Sequence, residues 1–339
     1  MSKEITRRNF LQGSVAVGTI AIGGSSIAAN VNSESKTQQT LANQGPRPKV
    51  YFIKEISSDS ILKVYESLKH TLPGKVAVKL HSGEPGGHHY PDPKLIEKLV
   101  QSVNGTIVEC NTAYPGRRFE TESHLQVMKE HGFAAIAPVD IMDANGSIAL
   151  PCPPGSKNLE ENFVGANFKN YDSFLVFSHF KGHAMGGFGG ALKNMSIGIG
   201  SAKGKMWIHT AGKTDSTASF TPAFETTQDR FLESMAESAG SVMMRLGTKH
   251  VAYVNLMNNL SVDCDCDSNP APPEMDDIGV LASLDPVALD RACVDLVYSA
   301  DENRSAALRE RIESRHGTHT LAHAGALKLG SLNYELVII

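Results

Sequence analysis

Two short segments concentrate the side chains from which chemistry is made. The first is VDCDCDSNP, which sets Cys264 and Cys266 among Asp263, Asp265 and Asp267. Two thiols and three carboxylates packed this closely repel one another once ionised, unless a cation or a helix N-terminus compensates. Thiolates suit zinc, copper(I) or iron, and carboxylates suit harder ions. Run as a strand, the segment would point both cysteines one way and the three aspartates the other. A disulfide between the cysteines is the competing outcome, and an acidic surface loop with incidental thiols is the plain one.

The second segment is SHFKGHAMGGFGGALKN. His179, Lys181 and His183 precede a glycine turn that runs through Gly189 and Gly190 to Lys193 and Asn194. Glycines let backbone amides approach an anion, and a helix starting there adds its dipole. His179, Lys181 and Lys193 are therefore candidate acid–base groups. Gly189, Gly190 and Asn194 are candidate contacts to a small anionic molecule. The alternative is a tight turn whose glycines serve packing alone. The pattern matches neither the P-loop nor the dinucleotide fingerprint.

Two further segments add to these. LHSGEPGGHHYP supplies His81, Glu84, His88 and His89, and CNTAYPGRR supplies Cys110, Asn111, Tyr114 and Arg117. Arg117 suits a carboxylate or phosphate clamp, with Asn111 beside it. Two cysteines are too few for a closed zinc shell, so one or more of His81, His179 and His183 would complete it. Neither a Gly-x-Ser-x-Gly elbow nor a His-Glu-x-x-His helix occurs, which removes serine hydrolases of that type and zincin proteases.

All four segments follow apolar, β-branched runs: KVAVKL, TIVECN, SFLVFSHF and HVAYVNLM. With KVYFI and DIGVLASL these read as six strands, mostly apolar throughout, as in a sheet covered on both faces. Helical patterns at 58–70, 93–103, 121–131, 226–246 and 286–299 lie between them, the last opened by an Asp285–Pro286 cap. The alternation predicts an α/β fold with a largely parallel sheet and helices on both faces. The Gly/Pro-rich PCPPGSKN is where two lobes would join. In such a fold functional groups gather at the carboxyl edge of the strands.

The chain opens with Arg7 and Arg8 ahead of a weakly apolar, Gly-rich run and small residues at Ala28 and Ala29. This pattern predicts a twin-arginine signal at residues 1–30, recognised by the twin-arginine export machinery and cleaved outside the cytoplasm, in the periplasm or its equivalent. A polar stretch at 31–48 reads as a disordered spacer, leaving 49–339 as the α/β domain. The net charge is -4, or near -6 once the signal is removed. No basic stripe exists to suit nucleic acid. No later segment is apolar enough to span a membrane. Five cysteines, an odd and scattered set, do not form a disulfide framework.

VKLHSGEPGG, NTAYPGRR, GHAMGGFGGALKNMSIGIGSAKGK and CDCDSNPAPPEMDDIGVLASLDPVALDRACVDLV together resemble the uncharacterised iron–sulfur centre proteins, a domain-of-unknown-function family. The resemblance runs from about Lys49 to the C-terminus. It implies an iron–sulfur or other metal centre. Many members carry ferredoxin-type cysteine runs after the segment matching GSAKGK, whereas residues 206–227 here hold no cysteine. That departure removes the argument for two four-iron clusters. The expectation is an exported zinc, iron or iron–sulfur protein, an oxidoreductase, with a cleft for a small anionic molecule. A metal-free binding protein and a metal-assisted isomerase or hydrolase are the alternatives.

Overall fold

The computed structural model describes residues 47–339. The expected export signal, and the spacer as far as residue 46, lie outside the described residues. The described chain begins with β1 (Lys49–Ile53), α1 (Ser58–Glu66), β2 (Val76–Lys79), α2 (Pro93–Ser102), β3 (Thr106–Glu109), α3 (Thr121–Glu130) and the single turn α4 (Phe133–Ile136). Next come β4 (Val139–Ile141), the hairpin β5 (Ser147–Pro151) and β6 (Glu161–Gly165), β7 (Ser173–His179), and the hairpin β8 (Lys181–His183) and β9 (Gly187–Gly189). Four helices follow: α5 (Ala191–Ser196), α6 (Ala202–His209), α7 (Thr221–Phe224) and α8 (Gln228–Leu246). The chain ends with β10 (Val251–Met257), β11 (Gly279–Ser283), α9 (Pro286–Ser299), α10 (Glu302–Ser314), α11 (His319–Ala326) and β12 (Glu335–Ile338).

The main sheet has eight strands in the order β12-β1-β11-β10-β7-β2-β3-β4. Only β11 runs against its neighbours; the other pairings are parallel. Successive residues of a strand face opposite sides, so an apolar run feeds two cores at once. Val76, Val78, Leu175 and Phe177 pack on one side with Ile61, Val64, Ile96 and Leu99 of α1 and α2. Ala77, Phe174 and Val176 pack on the other with Leu192, Ala236, Ala239 and Leu289 of α5, α8 and α9. Arg47–Ile339 forms one compact unit, and PCPPGSKN does not divide it. Among the described residues no helix is long and apolar enough to cross a membrane.

The six expected strands and five expected helices are all present, with helix ends shifted by up to a few residues. Asp285 caps α9 by accepting from the Ala288 amide at 2.9 Å, with Pro286 in the first turn. VDCDCDSNP differs from its strand reading: β10 ends at Met257, and a loop occupies 258–278. With no edge partner to complete, its backbone turns back through an Asp267 N–H to Cys264 O bond of 3.0 Å.

Candidate functional site

The carboxyl ends of β2, β3 and β7 share one edge because these strands are parallel, and the loop after β10 joins them there. A cleft of about 120 Å³ opens at this edge. Lys79, Arg118, Lys181, Lys193 and Lys205 line it, against the carboxylates Glu109 and Asp265. Positive charge is therefore in excess. Burial pushes both Lys79 and Lys193 down to about 8, and Glu109 acts against that fall at Lys79.

Four of these cations are already satisfied. The Lys79 ammonium donates to the Leu80 carbonyl, and Lys205 donates to Gly200 O at 2.6 Å. Lys181 pairs with Asp265 at 3.0 Å and Arg118 with Glu109 at 2.7 Å. The Lys193 ammonium makes no hydrogen bond or ion pair with any described residue. Its stem lies along Gly189, where a Cβ would stand 3.1 Å from Lys193 Cδ.

The glycine turn works differently from its anion-cradle reading. The first amides of α5, Ala191 N and Leu192 N, donate to the Asp290 carboxylate of α9 at 2.7 and 2.9 Å. A Cβ at Gly190 would come 2.3 Å from Asp290 Oδ1, so this glycine makes room for an internal anion. Burial lifts the Asp290 carboxyl to about 6. Asn194 is likewise committed inward: its amide donates to Phe177 O at 2.9 Å and Lys79 O at 3.2 Å, tying α5 to the sheet.

Asp265 holds the cysteine loop in place. It accepts from His179 Nδ1 at 2.8 Å and from the Lys181 ammonium, while His179 Nε2 lies 2.7 Å from Asn258 O. Burial pushes the Asp265 carboxyl up, but His179 and Lys181 outweigh it and hold it well below the usual carboxylate range. Both ring nitrogens of His179 are thus engaged, which corrects its reading as a metal ligand. His179 and Lys181 act on the site by positioning Asp265.

Cys264 and Cys266 are joined as a disulfide. A ring nitrogen of His183 and both sulfurs lie within 4.8 Å of one another. The β8 backbone brings His183 there: Gly182 N donates to Ser261 O at 2.8 Å, and a Cβ at Gly182 would collide with Val262 O at 2.3 Å. Burial keeps His183 well below its usual titration range, hence neutral, and its Nδ1 accepts from Gly186 N at 2.8 Å. Of the expected metal ligands, His183, Cys264 and Cys266 come together. His81 lines the cleft but faces Arg118, 3.0 Å from its Nη1. The remaining cysteines, Cys110, Cys152 and Cys293, are free thiols outside this group, so the described residues do not assemble four cysteines around an iron–sulfur cluster. One histidine nitrogen and two sulfurs are a donor set of the kind that can hold a metal ion once the sulfurs are reduced.

Arg117 is corrected as an anion clamp for the cleft. It is exposed and bidentate to Glu130 at 2.7 and 2.8 Å. Its neighbour Arg118 is the buried one, reaching Glu109, Glu84, His81 and His124. Asn111 is spent on Thr121 and His124, also away from the cleft. Sequence reading therefore missed Lys79, Glu109, Arg118, Lys205 and Asp290. A lysine as the last residue of an apolar strand, and an aspartate on the apolar face of α9, were the available signals.

A family model described as a domain of unknown function, DUF362, matches residues 76–295, nearly two thirds of the chain. The chain belongs to the DUF362 family. Every cleft residue named above lies inside the DUF362 match. No curated protein matches the sequence. Among solved structures, the lactate racemase apoprotein from Thermoanaerobacterium thermosaccharolyticum is 14% identical, with a TM-score of 0.38 over 61% of this chain. A structural-genomics protein from Thermotoga maritima is 13% identical, with a TM-score of 0.39 over 70%. This DUF362 chain spans 50% and 57% of the length of those two. Neither likeness carries information on activity.

Proposed function

We propose that this chain holds a small anionic molecule, a carboxylate or phosphate, in the cationic cleft at the carboxyl edge of its sheet. The observation that carries the reading is Lys193, a desolvated ammonium with no protein partner in a cleft where cations outnumber carboxylates. Lys193 is half-buried, its ammonium has no protein partner, and an anionic ligand would supply one through a charge-assisted hydrogen bond. Charge-assisted hydrogen bonds are worth about 1.5–3 kcal/mol. Lys193→Gln should therefore weaken phosphate or oxalate binding by roughly 10- to 100-fold in calorimetry. The same titration should lose affinity as pH rises through about 8, where Lys193 sheds its proton. Unchanged affinity in a folded Lys193→Gln chain would remove the carrying observation.

The meeting of His183, Cys264 and Cys266 favours a second reading, a zinc or iron centre beside the same cleft. Two sulfurs bonded to each other cannot serve as two thiolate ligands, so this centre requires reduction first. Metal analysis of the anaerobically reduced chain reads it directly. Export by the twin-arginine route, with cleavage near residue 30, is proposed from the arginine pair, the apolar run behind it and the small residues at Ala28 and Ala29. Fractionation of cells making the Arg7→Lys, Arg8→Lys chain should find it unprocessed in the cytoplasm, and a processed chain outside would end the idea.

A further inference from the structure

The disulfide does more than close a loop. Cys264, Cys266 and Tyr114 line the inner cationic cleft and also a separate outer basin of about 460 Å³. The sulfur pair is therefore part of the partition between the two, and both of its residues are half-buried rather than sealed in the core. In the outer basin Glu84 pairs with Arg118, Asp263 with Arg311 at 3.1 Å and Arg117 with Glu130, and the exposed Asp267 adds a negative charge. The inner side keeps the free cation, Lys193. A molecule occupying the cleft has both the Lys193 cation and the disulfide in its walls.

We infer that Cys264–Cys266 is a redox-active pair that exchanges with low-molecular-weight thiols carrying a carboxylate, the carboxylate held by Lys193 and the sulfur directed at the disulfide. This rests on the anion-binding reading given above. The geometry assigns the order of events. Cys266 N–H donates to Cys264 Sγ at 3.3 Å, so Cys264 is the sulfur whose developing thiolate is stabilised. The substrate thiolate attacks Cys266 Sγ, the Cys264–Cys266 bond breaks, and the electron pair leaves on Cys264. A second substrate thiolate then attacks the substrate sulfur of the mixed disulfide and releases Cys266. Two thiols become one small disulfide, and their two protons end on Cys264 and Cys266. Asp265, pinned between His179 and Lys181, keeps the two cysteines adjacent in either state, so the reverse reaction with a small disulfide is equally open.

The full chain, oxidised, is mixed with 3-mercaptopropionate or with uncharged 2-mercaptoethanol at equal thiolate concentration and low ionic strength. Mass spectrometry follows the gain of two hydrogens. Reduction by the anionic thiol should be at least tenfold faster, and Lys193→Gln should bring the two rates within about twofold of each other. In a Cys264→Ser chain, 3,3′-dithiodipropionate should leave a stable adduct on Cys266. A pair that neither thiol reduces would overturn the inference. So would equal rates in the unaltered chain, or a reduced pair that takes up one zinc and no longer reacts with the small disulfide. Oxalate binding to the folded Cys264→Ser, Cys266→Ser chain separates the two ideas. Binding without thiol preference sinks the exchange alone, and no binding sinks the anion cleft with it.

Discussion

Replacing Arg118 by Met should destabilise the chain by about 3–5 kcal/mol, the usual cost of leaving a buried carboxylate without its partner. Glu109 is 2% exposed and ends β3 inside the protein. Arg118 Nη2 donates to it at 2.7 Å, and Ser82 N adds a second bond at 2.7 Å. Burial alone would push the Glu109 carboxyl up, but the Arg118 guanidinium with His124 holds it well below the usual range. A depressed carboxylate stabilises the fold above its unfolded pKa of about 4.3 and loses that contribution as pH falls through the folded value. In the variant, only Ser82 N, His124, His81 and Lys79 still oppose burial at Glu109, so the depression and the stability it carries shrink. The gap between the two chains should therefore be widest near neutral pH and narrow below about pH 4. Urea unfolding across pH 3–7 measures it, and a gap that stays constant would mean Glu109 is not the group responsible. Glu109→Gln in the Arg118→Met chain should recover part of the loss, because it removes the stranded charge.

A loss of similar size is expected from Asp265→Ala. Lys181, 1% exposed, would lose its carboxylate acceptor, and His179 would lose its Nδ1 partner. The removed carboxylate also anchors the loop between β10 and β11. Its backbone carbonyl, which takes the Glu84 amide at 2.9 Å, becomes the main tie left at that position. About 3–5 kcal/mol should be lost overall, with amide exchange at 263–267 accelerated beyond what global unfolding explains. Lys181→Met added to Asp265→Ala should restore stability but not loop protection, since it removes the unpaired cation without rebuilding the anchor. Recovery of both together would mean that the aspartate acts only through charge.

Reading the site from sequence worked wherever position along a strand was sufficient. A chain of continuously apolar strands alternating with amphipathic helices has few ways to bury its faces, and the covered sheet follows. That the polar segments after VKL, VECN, FLVFSHF and NLM collect at one edge follows from parallel strands, and this too is written in the sequence. The direction of β11 is not, because an antiparallel strand buried on both faces has the same apolar composition as a parallel one.

Partnering was beyond the sequence. Arg117 and Arg118 are adjacent and chemically identical, and only packing turns the first to solvent against Glu130 and the second into Glu109. The glycine turn has the composition of an anion cradle, yet Asp290, about a hundred residues later, already fills it. Cys264 and Cys266 carry the same two thiols whether they meet a metal or each other. Sequence determined which groups reach the carboxyl edge, because strand period is local and helical crossovers between strands keep them parallel, whereas the order of the strands joins segments far apart in the chain. Tertiary structure decided which of those groups are already neutralised by distant partners, and so left Lys193 and the sulfur pair as the ones still able to act.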